Sequence, residues 1–232
     1  MTHRSTALVT GASAGLGLAL ARSLIDRGWR VIGTARRADR LARVGSELGE
    51  AFLAVPGDIT DPAHRAELAA VAGEFGHLEL LVNNASRLGP SPMPRLANYP
   101  LDQLELVYRT NVIAPLAVLQ FALPLLDPDG VVVNISSDAG VEPYPDWGGY
   151  GSSKAALDQL TAILAAEHPK QSIYAFDPGD MRTEMHQAAF PGDDISDRPE
   201  PETVVPALLR LVEQRPKNGR YTAADFAAGV GR

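Results

Sequence analysis

Tyr150 and Lys154 are four residues apart. That is one helical turn, so on a helix the two side chains share a face. An ammonium beside a phenol favours the phenolate and lowers a tyrosine pKa that starts near ~10. The pair is therefore expected to pass a proton at neutral pH. The spacing alone is common, and on an ordinary surface helix it means a half-buried tyrosine beside a solvated lysine. A second group of residues gives it a context. Gly11-Ala12-Ser13-Ala14-Gly15-Leu16-Gly17 has the spacing Gly-x-x-x-Gly-x-Gly. Glycines let a backbone approach a pyrophosphate closely, and a helix starting there points its N-terminus at the negative charge. A tight turn packing helix on strand is the plain alternative. Position decides against it, because an apolar run precedes the loop and an apolar-periodic segment follows.

The elements that must hold these residues follow from the hydrophobic pattern. Ala7-Leu8-Val9 reads as a buried strand ending at Thr10-Gly11, and Leu16, Leu20 and Leu24 mark a helix closed by Gly28. Val31-Ile32-Gly33 is a second strand, a helix covers about 39–48, and Phe52-Leu53-Ala54-Val55 is a third strand. Asp61-Pro62 is an N-cap with a first-turn proline, opening a helix that ends near Gly76. Leu78 to Val82 is a fourth strand, a long helix spans about 101–126, and Val131 to Ile135 is a fifth strand. A loop with Pro143, Pro145, Gly148 and Gly149 leads into the Tyr150 helix, which stops before Pro169. Ser172 to Phe176 is a sixth strand, followed by a helix over about 202–214 and a short strand at Arg220-Tyr221-Thr222. Strands alternating with helices predict an α/β fold: a doubly wound (Rossmann) parallel sheet of about seven strands with helices on both faces, as a single domain over 1–232.

Two questions attach to the glycine loop. Gly11 to Gly15 also fits Gly-x-Ser-x-Gly, the nucleophile elbow of α/β-hydrolases, with Ser13 as the nucleophile. That elbow needs earlier strands to supply oxyanion donors, and here one short strand precedes it without a convincing Asp-then-His pair downstream. The second question is which dinucleotide. In NAD enzymes of this fold an acidic residue ends the second strand and binds the ribose hydroxyls. Here that position is Ala35, followed by Arg36-Arg37. No carboxylate repels a 2′-phosphate and a guanidinium is available to pair with it, so NADP(H) is expected.

Taken together, these residues resemble the short-chain dehydrogenase/reductase family in its compact single-domain form, over nearly the whole chain. The resemblance implies cofactor contacts at Gly11, Ser13, Ala14, Gly15, Leu16 and Gly17. It adds Asp58 and Ile59 beside the adenine, Asn84 and Ala85 in Asn83-Asn84-Ala85, and Pro178, Gly179, Met181 and Thr183 near the nicotinamide amide. The catalytic set it implies is Asn111, Ser137, Tyr150 and Lys154, with the serine 13 residues before the tyrosine. The implied reaction interconverts a carbonyl and an alcohol by hydride transfer with NADP(H). Tyr150 would be the general acid/base, Ser137 would hold the reacting oxygen, and Lys154 would tune Tyr150 and bind the nicotinamide ribose. Ser136, on an extended chain, faces the other way from Ser137 and is expected to be structural. Three departures stand out: Ser86 where the family has the glycine of Asn-Asn-Ala-Gly, Ala14 where many NADP-preferring members carry a basic residue, and a C-terminal tail without the usual Asp-Gly-Gly. A non-catalytic dinucleotide sensor is the alternative from another class, but such a protein would be expected to lose Ser137, Tyr150 or Lys154. A sugar-nucleotide epimerase needs an extra substrate domain for which the chain has no room.

Local chemistry adds detail. Pro115 follows Asn111 by four and has no N–H, so the Asn111 carbonyl loses its helical partner; a kinked helix with a carbonyl free to hold a water is expected. Tyr144 and Trp147 lie on the loop before Tyr150, edging the substrate pocket or packing the loop. Residues 191–201 hold three prolines, four acidic residues and one glycine, and with Met181 to Ala189 they read as a mobile lid over about 180–201. His186 on that lid is read as polar surface.

Composition excludes several classes. The chain of 232 residues has a net charge of −7, a poor match to nucleic acid, whose phosphates need a basic face. It has no cysteine, so disulfides and thiolate chemistry are out, and its five histidines lack metal-ligand spacing; no metal is expected. Leu116 to Leu126 is too short to span a bilayer and is broken by Pro124, and the N-terminus lacks a signal-peptide core, so no membrane partner and a cytoplasmic location are expected. The expected partners are a small-molecule carbonyl or alcohol and further copies of the chain. A homodimer or homotetramer would pack helices 101–126 and 149–167 across a symmetry axis, by analogy with the family.

Overall fold

The computed structural model describes residues 4–227. Met1 to His3 and the tail from 228, where the departure from Asp-Gly-Gly falls, lie outside the described residues. Seven strands form one sheet: β1 (Thr6–Thr10), β2 (Arg30–Ala35), β3 (Phe52–Pro56), β4 (Leu78–Asn83), β5 (Leu126–Ile135), β6 (Ser172–Asp177) and β7 (Gly219–Thr222). Their order is β3-β2-β1-β4-β5-β6-β7, and every neighbouring pair is parallel. Parallel strands need crossovers, and the helices supply them: α1 (Gly15–Asp26), α2 (Ala38–Leu48), α3 (Pro62–Glu74), α4 (Leu101–Tyr108), α5 (Ala114–Ala122), α6 (Gly148–Glu167), α7 (Glu184–Ala189) and α8 (Pro201–Gln214).

Alternation along β1 shows how the layers form. Ala7 and Val9 join Leu20 and Leu24 of α1, Leu41 of α2 and Leu208 of α8 in one core. Leu8 points the other way, with Leu68 of α3 and Val118 and Leu119 of α5. Both faces of the sheet are covered, which is why the middles of the central strands, Ala7-Leu8-Val9, Leu80-Leu81-Val82 and Val131-Val132-Val133, are continuous apolar runs.

The helix expected over 101–126 is interrupted. After α4 the backbone widens into a π turn over Arg109–Ile113, in which the Ala114 N–H donates to the Arg109 carbonyl five residues back. Pro115 cannot donate to Asn111, and the chain absorbs that loss by widening the turn that contains Asn111. The following turn, Leu123–Leu125, tightens at Pro124, and β5 begins at Leu126, five residues before the expected start. As a whole, Leu101–Leu125 is long and apolar enough to cross a membrane, more than the 116–126 stretch suggests. Here Val107, Val118, Leu119 and Ala122 are buried, so the run serves as a layer of the fold.

Candidate active site

The sheet order reverses between β1 and β4: the chain goes from β1 outward to β3, then returns to the other side of β1. Loops leaving the two strands diverge there and leave a crevice at the carboxyl ends of the strands. A cleft of about 890 Å³ occupies this place, running from Arg36, Arg37 and Arg40 at one end to Ser137, Tyr150 and Lys154 at the other.

Tyr150 and Lys154 enter from the first turns of α6 and are both buried, at 8% and 2% exposure. Lys154 Nζ donates to the Ile135 carbonyl at 2.7 Å and lies 5.5 Å from the Tyr150 ring centroid. Burial pulls the ammonium down to about 8, against Asp158 and Asp177, which hold it up. Burial also pushes the Tyr150 phenol up, well above its ordinary value, while the hydroxyls of Ser137 and Ser86 pull it down and the charges of Asp177 and Asp138 push it further up. This corrects the expectation that Lys154 makes Tyr150 acidic. Desolvation is the largest influence on the phenol, so it keeps its proton among these residues and is set up as a donor.

Ser137, two residues past the end of β5, lines the cleft, donating to Asp138 Oδ1 at 3.0 Å and accepting from the Ala139 N–H at 3.2 Å. Ser136 also borders the cleft but is buried at 2%, with its hydroxyl directed at Asp158. Asn111 does not reach the cleft wall. Its amide donates to the Arg87 carbonyl and to Ser153 Oγ, both at 2.9 Å, and its Oδ1 accepts from the Arg87 N–H at 2.8 Å. Asn111 thus ties the chain after β4 to α6, beneath Tyr150.

The glycine loop forms the middle of the cleft. Gly11, Ser13, Ala14, Gly15 and Leu16 line it, as do Asp58, Ile59, Ala85, Pro178, Gly179, Met181 and Thr183. Gly17 does not. A Cβ on Gly17 would lie 2.4 Å from the Gly11 carbonyl and 2.5 Å from Asn84 Nδ2, so this glycine packs α1 against the loop. Asn84 lines the cleft yet spends its amide on the carbonyls of Thr10 and Gly11, at 2.9 and 3.2 Å. Ala14, at the α1 N-cap, offers no side-chain acceptor, which leaves the first-turn amides to face the cleft. At the far wall, burial raises Asp58, but the Thr60 amide and hydroxyl, each 2.8 Å from Oδ1, outweigh it together with Arg36 and Arg87 and hold the carboxyl below its ordinary value.

The arginine end holds a residue that the linear pattern hides. Glu184, in the first turn of α7, bridges Arg37 at 2.8 Å and Arg40 at 2.5 Å. Arg36 and Arg37, both expected to meet the cofactor, line the cleft; Arg37 also pairs with Glu184, and among the described residues Arg36 has no such bridge. Of the expected lid over 180–201, Met181, Met185, Ala189, Glu200 and Pro201 line the cleft, whereas 191–199 do not. Trp147 lines the cleft and packs against Tyr150 and Phe190, with centroids 5.9 and 5.8 Å apart. Tyr144 is off the wall and donates to Asp138 Oδ2 at 2.9 Å. The hydrolase alternative lacks its base: Ser13 lines the cleft, but among the described residues no histidine hydrogen-bonds it.

Residues 5–194 match the family described as short chain dehydrogenase. The chain belongs to that family. Among its short chain dehydrogenase relatives, serine 3-dehydrogenase of Agrobacterium fabrum is 40% identical over 185 residues, 78% of this chain and 73% of that protein. A probable NADP-dependent dehydrogenase of Haemophilus influenzae is 38% identical over 197 residues, 82% and 77% of the two chains. A short chain dehydrogenase from Shigella flexneri, solved in complex with NADP, superposes with a TM-score of 0.88 at 28% identity, covering 95% of this chain and 97% of that one.

Three residues of this short chain dehydrogenase site escape the family motifs. Ser86 Oγ donates to Asn111 Oδ1 at 3.2 Å and stands close enough to the Tyr150 phenol to lower its pKa. Its signal was visible as a departure from glycine. Glu184 and Arg220 carry no local signal, because each acts on partners distant in the chain.

Proposed function

We propose that this short chain dehydrogenase is an NADP(H)-dependent oxidoreductase that interconverts a carbonyl and an alcohol, with Tyr150 as the general acid/base. One observation supports this above others: a single cleft joins Arg36, Arg37 and Arg40 to the buried Tyr150 and Lys154 and the half-buried Ser137. The residues fit the dinucleotide. Gly11 and Gly15 adopt φ of +70 and +53, which side-chain-bearing residues rarely adopt, and both line the cleft, so the loop offers bare backbone to a pyrophosphate. Arg36 would pair with the 2′-phosphate, Asp58 and Ile59 would flank the adenine, and Pro178, Gly179 and Thr183 would meet the nicotinamide. Bound NADP(H) supplies or accepts the hydride.

The chain's own residues do the rest. Ser137 holds the substrate oxygen and polarises it. Tyr150 gives that oxygen a proton during reduction and takes it back during oxidation, and its raised pKa favours the giving role. Lys154, at the foot of the site, supplies the positive charge that a developing phenolate needs. Trp147, Met185 and Phe190 close an apolar wall over Tyr150 and exclude water. Copies of the chain associate through α4, the π turn and α6, where Leu101, Leu106, Ile113 and Ile163 stand exposed.

The test is a panel of ketones and aldehydes followed by NADPH absorbance. Tyr150→Phe is expected to lower kcat/KM by about 10²–10⁴-fold while leaving NADPH affinity within a few fold. Undiminished turnover in that variant would end the mechanism. Equal affinity of the parent for NADPH and NADH would end the cofactor assignment.

A further inference from the structure

Arg220 lies on β7, the edge strand, opposite Ala175 of β6. Its guanidinium makes three hydrogen bonds: Nε to Asp158 Oδ2 at 3.0 Å, and Nη2 to the Ser137 carbonyl at 3.0 Å and to Asp177 Oδ2 at 2.9 Å. The partners lie 62, 83 and 43 residues away in the chain and come from three different elements. Each lies beside the site. Asp158 is one helical turn beyond Lys154 on α6. Asp177 also accepts the Gly179 amide at 3.0 Å, which fixes the turn carrying Pro178 and Gly179 on the cleft wall. Ser137 carries the hydroxyl beside Tyr150.

We infer that Arg220 is a positioning residue for the reaction: its planar fork sets the Ser137 backbone and the Pro178–Gly179 turn in one geometry, and its charge limits the negative field that reaches Lys154. This rests on the reading of Tyr150, Ser137 and Lys154 given above. Only a guanidinium serves all three acceptors, because its donors are fixed in one plane. The charge arithmetic is equally specific. Lys154 is faced by Tyr150 and Asp158 on its own helix and by Asp177 from β6; Arg220 from β7 pairs with both carboxylates, and Asp138, on the turn after β5, faces Tyr150. Two carboxylates with one guanidinium leave one net negative charge behind Lys154. Without Arg220 there would be two, and they would hold the proton on Lys154 more firmly.

The experiment compares the parent with Arg220→Gln and Arg220→Lys. Lys154, Lys170 and Lys217 are the chain's three lysines, so a pH titration of protein labelled at lysine ¹³Cε resolves Lys154 from two ordinary surface groups. In cofactor-free protein, Arg220→Gln is expected to move the Lys154 midpoint upward by about one unit. Its kcat should fall by about tenfold to a hundredfold, with NADPH Kd within about threefold. Arg220→Lys keeps the charge and loses the fork, so its midpoint stays near the parent value while the kcat loss persists. A folded Arg220→Gln protein with the parent's midpoint and kcat overturns the inference. If that variant does not fold, Asp158→Asn decides the charge argument: its Lys154 midpoint must fall, and an unmoved midpoint overturns it. Should the parent reduce no carbonyl, the proposed function fails, yet the lysine titration still reads out the role of Arg220.

Discussion

Lys154 shows how the chemistry of this site is set against the stability of the fold. Lys154 is 2% exposed, and its ammonium donates one backbone hydrogen bond, to Ile135. A lysine whose folded-state pKa is drawn from 10.5 to about 8 destabilises the folded protein wherever it must carry its charge. That cost is present in full below about pH 8. It is relieved as pH rises from there towards 10.5, the pH at which the unfolded chain also releases the proton. Lys154→Met should therefore raise the unfolding free energy of the cofactor-free protein by about 1–3 kcal/mol at neutral pH, and the gain should shrink above pH 8. Turnover should fall together with this gain in stability. Denaturant melts at two pH values check this, and a destabilised variant would show that the hydrogen bond to Ile135 outweighs the burial. The spacing of Tyr150 and Lys154 made the pair legible in the chain, but the direction of their pKa shifts was not. Spacing shows that two groups share a face and not how deeply that face is buried, and here depth decides.

Elements show the same division. The strands could be read because a sheet covered on both faces needs apolar residues throughout, and the glycine loop because its neighbours are a strand and a helix. The break of the long helix at Arg109–Ile113 was half visible, since Pro115 announces a lost hydrogen bond and not the π turn that accommodates it. The role of α7 was hidden altogether: Glu184 meets Arg37 and Arg40 from 147 and 144 residues away. The bridge has a consequence for the cofactor reading. A 2′-phosphate entering beside Arg37 competes with the Glu184 carboxylate, whereas a cofactor without that phosphate does not. Arg37 and Glu184 are more than half exposed, so the competition is screened and modest. Glu184→Gln is expected to tighten NADPH binding by about two- to fivefold and leave NADH binding unchanged, with the difference shrinking in high salt. Fluorescence titrations at low and high ionic strength measure it. Weaker NADPH binding in the variant would mean that Glu184 helps to shape the site rather than compete for it.

Across the molecule, the crevice and the edge of the sheet carry different kinds of information. The crevice follows from strand order alone, because the chain turns back at β1, and it would exist for any chain with this topology. The edge depends on particular side chains, since β7 reaches the site through Arg220 while the last described turn, Ala223–Phe226, packs beneath α8. On the other side of α6 the pattern reverses. Ile113 and Ile163 are 55% and 43% exposed although both are large and apolar, and Leu106 at 37% extends the same region along α4. Scattered exposed aliphatics are ordinary, but three on adjoining elements form a patch that a second copy would cover. Light scattering is expected to show a dimer or tetramer of this chain. Ile113→Glu combined with Ile163→Glu should convert it to a monomer, because two carboxylates on each side of a twofold contact would be desolvated and opposed. The strand order places Tyr150 on the inner side of α6, so the monomer should keep a folded site and bind NADPH with affinity near that of the parent. A parent protein that is already monomeric would refute the contact. A double variant that remains associated would move it to another face.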